Sequence, residues 1–409
     1  MSFADLEVAA GTFTPQDREQ AQLREIPVEV PPGARALRVE LTTDPDRGVL
    51  DLGLLGAEGF RGWSGGARRR FVVMADAATP GYLPGPLEPG VWQVLIGLHR
   101  VAPEGAPYAV RVGFEPGPTD ARDVPASLPT PRPPRSIEGS EGRRWWPGDL
   151  HTHTEHSDGE QSVLEVAHLA GAQGLAFLAV TDHNTVSHYA DLPAAAASSS
   201  VVLLEGQEVT TDRGHANAIG TSDWVDFRAP VEAWRASAEA GGGLLTVNHP
   251  LAGDCAWRLA EPPPGTLVEA WHGLAAFLTD HALAWTRERG GIAIGGSDYH
   301  RPSDPVLPGQ PTTWLEAHAP TRDGFVEALR AGRVAVSREP TGPALVRRDG
   351  DLVIVDGDGA TLLDPEGRPR PVRGDVVVVA DAAPGLHRLV AGPHDQAVQA
   401  DQHDLLAIA

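Results

Sequence analysis

Eleven of the 16 histidines in this 409-residue chain lie between His151 and His300, grouped with carboxylates in short strings. The first, GDLHTHTEHSDG, sets His151 and His153 two apart after the start of an apolar strand. In extended backbone such residues point to one side, so both imidazoles can meet one cation. Asp158 follows in a Ser-Asp-Gly turn. LAVTDHN then carries Asp182 and His183, VVLLEGQEVT carries Glu208, GHANAIG carries His215, LLTVNHP ends at His249, and IAIGGSDYH carries Asp298 and His300. Imidazole plus carboxylate without thiolate suits Zn, Mn or Fe held for hydrolysis. Nine candidate ligands (His151, His153, Asp158, His183, Glu208, His215, His249, Asp298 and His300) exceed what one ion can use. Two or three divalent ions are therefore expected, with Glu208 as the natural bridge.

These strings need strand ends to present them. Between Trp146 and about Pro340, strand candidates alternate with helical stretches. The strands are 149–152, 175–181, 201–208, 244–248, 267–271, 292–297, 312–317 and 334–337, and the helices 160–173, 231–240, 275–289 and 322–331. Alternation of this kind predicts a parallel α/β arrangement, open or barrel-shaped, whose C-terminal strand ends form the working face. Asp158 could alternatively cap the helix predicted from Glu160. His168 falls inside that helix and reads as structural. His156, His188 and His281 read as surface, and His272, after a strand end in VEAWHG, as a substrate contact.

Flanking segments have other textures. Residues 1–115 show short apolar runs, such as Ala36–Leu41 and Val91–Leu98, parted by Gly, Pro and Asp, which predicts a β-sandwich. Residues 116–145 form a linker, with seven prolines between Pro116 and Pro134 that favour extended backbone. The metal-bearing domain is placed at 146–342. Residues 343–409 return to short β-runs with Asp349-Gly350 and Asp356-Gly357 turns suited to hairpins, and read as a small β-rich appendage.

Composition narrows the chemistry. The chain has no lysine, which excludes Schiff-base, pyridoxal-lysine and P-loop mechanisms. One cysteine excludes intrachain disulfides and cysteine-rich metal cradles. A net charge of −22 argues against broad nucleic-acid or anionic-membrane binding, yet allows a small anion at bound cations. The N-terminal residues lack a signal-peptide pattern, no run is long enough to span a membrane, and the expected location is cytoplasmic.

The series DLHTHTEHSDG, TDHN, GQEV, GHANAIG, NHP and GSDYH resembles the polymerase and histidinol phosphatase (PHP) superfamily. FRGWSGGARRRF and the following ATPGYLPGPLEPGVWQVLIGLH resemble the β-domain of its CehA/McbA branch. The resemblance implies a multidomain α/β protein: a distorted seven-stranded (β/α) barrel, preceded by the β-sandwich and followed by the tail. It further implies that His151, His153 and Asp298 bind a first ion with bridging Glu208, that His249 and His215 bind a second, and that Asp158, His183 and His300 hold a third. His156 has no assigned place, and His272 stands where relatives often have asparagine.

The expected function is metal-dependent hydrolysis by a metal-bridging hydroxide. The first expectation for substrate is a small or nucleotide-like phosphate ester. Asp298 or His249 would handle protons, and Arg301, Arg213, Arg338 and His272 would contact the substrate. An alternative is a carbamate or carboxylic ester, favoured by a pocket lined with Trp224, Trp257 and Trp271. A third reading makes the N-terminal domain a carbohydrate- or protein-binding module. GWSGG at 62–66 matches a nucleophile elbow, but no helix follows it, and it reads as a loop. Gly357–Gly359 reads as a turn, not a dinucleotide loop.

Overall fold

The computed structural model describes residues 6–121, 125–392 and 405–409. The chain divides into two compact units. One holds Met1–Pro125 with His153–Ser162 and Asp182–Ala190, and the other holds Ala126–Thr152, Val163–Thr181 and Asp191–Ala409.

The first unit is built on two antiparallel four-stranded sheets. One runs in the order Leu6–Phe13, Ala106–Gly113, Ala36–Thr43, Arg70–Met74. The other runs Leu23–Val30, Gly90–Val101, Gly48–Gly56, Gly59–Gly65. Strand alternation explains the sandwich: Val28, Leu37, Val39, Leu50, Leu52, Leu54, Trp92, Val94 and Ile96 are buried in one core. Residues 62–65 of GWSGG lie on the strand Gly59–Gly65 rather than in a loop, with Ser64 buried beside Tyr82. A short helix at Pro15–Gln20 went unforeseen; its capping box is formed by Thr14 and Asp17. The same unit also takes in the segments 153–162 and 182–190, which carry three of the candidate ligands.

The second unit is mixed α/β and mostly strand. Most expected strands are present, but the first runs Arg144–Asp149 rather than 149–152, and 244–248 shortens to Leu244–Leu245. Arg144–Asp149, Phe177–Val180 and Val202–Thr211 pair in parallel, in that order. Gly214–Ile219, not predicted as a strand, then adds antiparallel to Val202–Thr211. Leu267–His272 and Ile292–Gly296 form a separate parallel pair. Isolated parallel bridges join Thr152 to Tyr299 and Val247 to Val268. Helix Val163–Gln173 buries Val163, Val166, Ala167 and Ala170, one face of a 3.6-residue repeat. It begins five residues after Asp158, which therefore does not cap it. The helix expected over 275–289 is broken, with a tight turn at Gly273–Leu278 and the α-helix at Thr279–Glu288.

In the tail, Asp349-Gly350 makes the expected two-residue hairpin between Ala344–Arg348 and Asp351–Val355, both turn residues having positive φ. Asp356-Gly357 does not make one, because the second antiparallel partner of Asp351–Val355 is the distant Val376–Val379. Strands Leu405–Ile408, Arg388–Val390, Thr361–Leu363 and Pro369–Pro371 extend the large sheet outward from Val334–Ser337. Among the described residues no helix is long and apolar enough to cross a membrane.

Candidate metal centre

In the second unit, strand ends bring carboxylates and imidazoles together in a buried cluster. His151 follows Arg144–Asp149, Glu208 lies on Val202–Thr211, and His215 lies on the adjoining Gly214–Ile219. Glu208 Oε1 stands 3.3 Å from His151 Nε2, 3.1 Å from His215 Nδ1 and 3.2 Å from His249 Nε2. Asn248 Nδ2 donates to the same oxygen at 2.8 Å. His151 Nε2 also lies 3.1 Å from Asp298 Oδ1.

Local backbone devices aim these groups. Leu267–His272 is bulged between Glu269 and Trp271, where its register against Ile292–Gly296 slips by one. Residues three apart on a regular strand face opposite sides; the extra residue turns Glu269 and His272 to the same one. His249 and Asp298 have positive φ, 25° and 54°, an uncommon conformation that turns each side chain out of its strand path. Asp149 secures the neighbourhood, accepting from the backbone N–H groups of His151, Ser297 and Gly309. Burial pushes the Asp149 carboxyl up to about 6, against those hydrogen bonds.

The donor chemistry asks for cations. Glu269 lies 3.1 Å from His151 Nδ1 and 3.3 Å from His272 Nδ1, and it accepts from the His249 N–H. A neutral His151 protonated at Nδ1 presents a bare Nε2 to Glu208 and Asp298, which is repulsive unless positive charge sits at that point. Burial opposes charge on His151, but Asp298, Glu269 and Glu208 outweigh it and hold its pKa well above the ordinary value. Burial likewise opposes charge on Glu269, yet His151 and His272 bring its carboxyl down to about 2. His249 Nδ1 is buried without a hydrogen-bond partner. One ligand atom each from His151, His249 and Glu269 lies within 4.8 Å of the others. These residues fit divalent metal ions, which take bare imidazole nitrogens and carboxylate oxygens at such spacings. His300, on the same unit, has Nδ1 2.7 Å from Asp298 O.

The first unit carries the other three candidates. His183 Nε2 is 3.6 Å from Asp158 Oδ1, and the His153 and His183 rings stack at 4.3 Å. Behind them lies Asp182, which accepts from Thr154 N at 2.8 Å, Thr154 Oγ1 at 2.6 Å and Ser157 Oγ at 2.6 Å. His188 Nδ1 is 3.2 Å from Asp182, and His156 Nδ1 is 2.7 Å from Ser187 Oγ. His156 and His188 are therefore interior groups, not surface ones. Burial raises the Asp182 carboxyl, but His188, His156 and His153 outweigh this and keep it below its ordinary range.

The candidate substrate contacts separate. His272 belongs to the second unit's cluster, with Nε2 3.7 Å from Asp298. Arg301 follows His300 with a side chain 41% exposed. Arg213 instead donates to Arg258 O, and Arg338 donates through Nε and Nη2 to Leu405 O. Trp271 packs in a core with Leu283 and Val336, Trp257 donates to Ala260 O, and Trp224 meets Phe227 and Arg228.

Glu269 was missed by the sequence reading. Its mark is a lone carboxylate inside the otherwise apolar LVEAW run, which alternation alone assigns to solvent.

Residues 149–252 match the PHP domain family. A 5′-3′ exoribonuclease of Haemophilus influenzae is 39% identical over 64 residues, 16% of this chain and 23% of that protein. A 3′,5′-nucleoside bisphosphate phosphatase of Chromobacterium violaceum is 41% identical over 66 residues, 16% of this chain and 23% of that protein. The chain thus matches about a quarter of the length of these relatives. A two-domain Bacteroides vulgatus protein, described as containing a predicted PHP-like metal-dependent phosphoesterase, aligns at 17% identity and TM-score 0.45, covering 69% of this chain and 98% of that one.

Proposed function

We propose that this protein is a metal-dependent hydrolase of PHP type, a phosphoesterase acting on small or nucleotide-like phosphate esters. The observation that carries the reading is the meeting of three imidazole nitrogens on the single oxygen Glu208 Oε1. The PHP match, and the nucleotide chemistry named for the two partial relatives, support phosphate over other esters. Two parallel bridges, at Thr152–Tyr299 and Val247–Val268, support a seven-stranded ring behind the cluster. The FRGWSGGARRRF string supports the CehA/McbA branch.

Divalent ions, two or three of Zn, Mn or Fe, supply Lewis acidity toward a phosphoryl oxygen and acidify water. Within the chain, Glu208 would bridge such ions, and His151, His215, His249, Asp298 and His300 would ligate from the second unit. His153, Asp158 and His183 offer a further three-donor set. Glu269 holds the His151 proton at Nδ1. Asp298 and His249 are the residues we assign to proton movement, and Arg301 to binding the anionic ester. The ligands are small molecules.

Elemental analysis of the purified protein should find about two or three equivalents of metal, as a multi-metal clamp requires. Glu208→Ala should lose most of that metal and all hydrolysis. A panel of phosphomonoesters, phosphodiesters, nucleotides and aryl carbamates then tests the substrate class. Full metal content and full activity in Glu208→Ala would defeat the assignment, and turnover of aryl carbamates alone would defeat the phosphoesterase reading.

A further inference from the structure

We propose that the N-terminal β-sandwich positions the segments bearing His153, Asp158 and His183, with Arg68 as the positioning residue. The inference rests on those three residues being metal ligands, as argued above. Arg68 belongs to the FRGWSGGARRRF string, whose three consecutive arginines have separate partners. Arg69 Nη1 donates to Leu50 O at 2.8 Å inside the sandwich. Arg70 makes a two-pronged pair with Asp120, both contacts 2.9 Å. Arg68 turns instead to the 153–162 segment, donating through Nη1 to Ser157 O at 3.0 Å and through Nη2 to Glu155 O. Those carbonyls flank His156 in the turn that leads to Asp158. The turn is tightly closed, since Gly159 N donates to Thr154 O and a Cβ at Gly159 would lie 2.7 Å from the His153 carbonyl.

A second attachment holds the 182–190 segment. Gly81, in the sandwich, donates its N–H to Ser187 Oγ at 3.0 Å and accepts from Thr185 Oγ1 at 2.9 Å. Its φ is +99°, and a Cβ there would stand 2.8 Å from both His156 O and Trp63 O. Only glycine fits that approach. Asp182 and the His156–Ser187 contact tie the two segments to each other. All of these groups lie within one compact unit. The forked guanidinium suits this task, because its planar N–H groups are pre-organised toward two fixed carbonyls, whereas an ammonium is a point charge on a flexible stem. Hydrogen bonds to a charged donor are also stronger than neutral ones.

The full-length chain tests this in two ways. In chelator-treated protein, Arg68→Met should raise amide exchange in 153–162 about tenfold, while strands Gly48–Gly56 and Gly90–Val101 keep their protection. On titration with Mn2+, the weakest site of Arg68→Met should lose affinity about 10- to 100-fold, as removal of an outer support does, with Arg68→Lys falling between. If Arg68→Met unfolds the sandwich, Thr185→Val, which removes the bond to Gly81 O, is read by the same measurements in 182–190. Unchanged exchange or unchanged Mn2+ affinity overturns the positioning role. A wild-type chain that takes up no Mn2+ overturns the metal assignment itself and this inference with it. Normal uptake in both wild type and variant overturns this inference alone.

Discussion

The Nδ1 atom of His151 stands 3.1 Å from Glu269 while its Nε2 faces Glu208 and Asp298, so this carboxylate favours a proton on the nitrogen turned away from them. Glu269→Gln keeps the shape and removes the charge that favours a proton at Nδ1. Metal affinity should fall about 10- to 100-fold, the usual result of removing the carboxylate behind a ligating imidazole. Metal content after dialysis against a graded chelator series measures this, and wild-type retention would show that Glu269 does not orient the ligand.

The arginines should divide by their partners. Arg301→Ala should raise KM for a phosphate ester with a smaller effect on kcat. Arg213→Ala, which breaks a bond to Arg258 O at an exposed site, should leave KM within about twofold, as surface changes do. Arg338→Ala should act on stability, since it removes two charge-assisted contacts to Leu405 O and costs about 1–3 kcal/mol. Steady-state kinetics with denaturant unfolding distinguishes the three, and a KM effect confined to Arg338→Ala would reverse the assignment.

Asp51 provides a pH dependence in the sandwich. Burial pushes its carboxyl from 3.8 up to about 7, against the opposing pull of Arg69 and His183. A raised folded-state pKa means that the native chain binds this proton more tightly than the unfolded chain. The stability contributed is therefore full below pH 3.8 and is lost as pH rises through 7. Asp51→Asn, measured in chelator, should stabilise the protein by roughly 1–3 kcal/mol above pH 7, allowing for the screening of a partly exposed group, and by little below pH 4. An effect independent of pH would place its origin elsewhere.

Ser64 sits in a nucleophile-elbow string yet lies on a buried strand, 3.0 Å from Tyr82 OH and 3.4 Å from Leu52 O. Ser64→Ala should leave hydrolysis intact and cost about 1 kcal/mol of stability, the loss of a buried hydroxyl contact. Loss of activity with an unchanged melting temperature would make it a nucleophile after all.

Most of the candidate strings were legible because they follow apolar strands, and strand ends are local in sequence; His215 instead opens the strand Gly214–Ile219. Glu269 was not legible, because a bulge sets its facing and bulges leave no mark in alternation. His156 looked like a surface residue because Gly81, which packs on its carbonyl, lies 75 residues earlier in the chain; buried His188 instead faces Asp182 and the His156 ring. The Asp356-Gly357 turn misled for a similar reason. The dipeptide specifies a turn but not the strand that returns, and that partner arrives at Val376.

Leu405–Ile408 lies between Val334–Ser337 and Arg388–Val390, hydrogen-bonded to both. During synthesis the two outer strands emerge first, each with a bare edge facing the gap. Open edges of this kind invite pairing with other chains until residues 405–408 fill the gap. A few late residues thus govern how safely the large sheet is assembled.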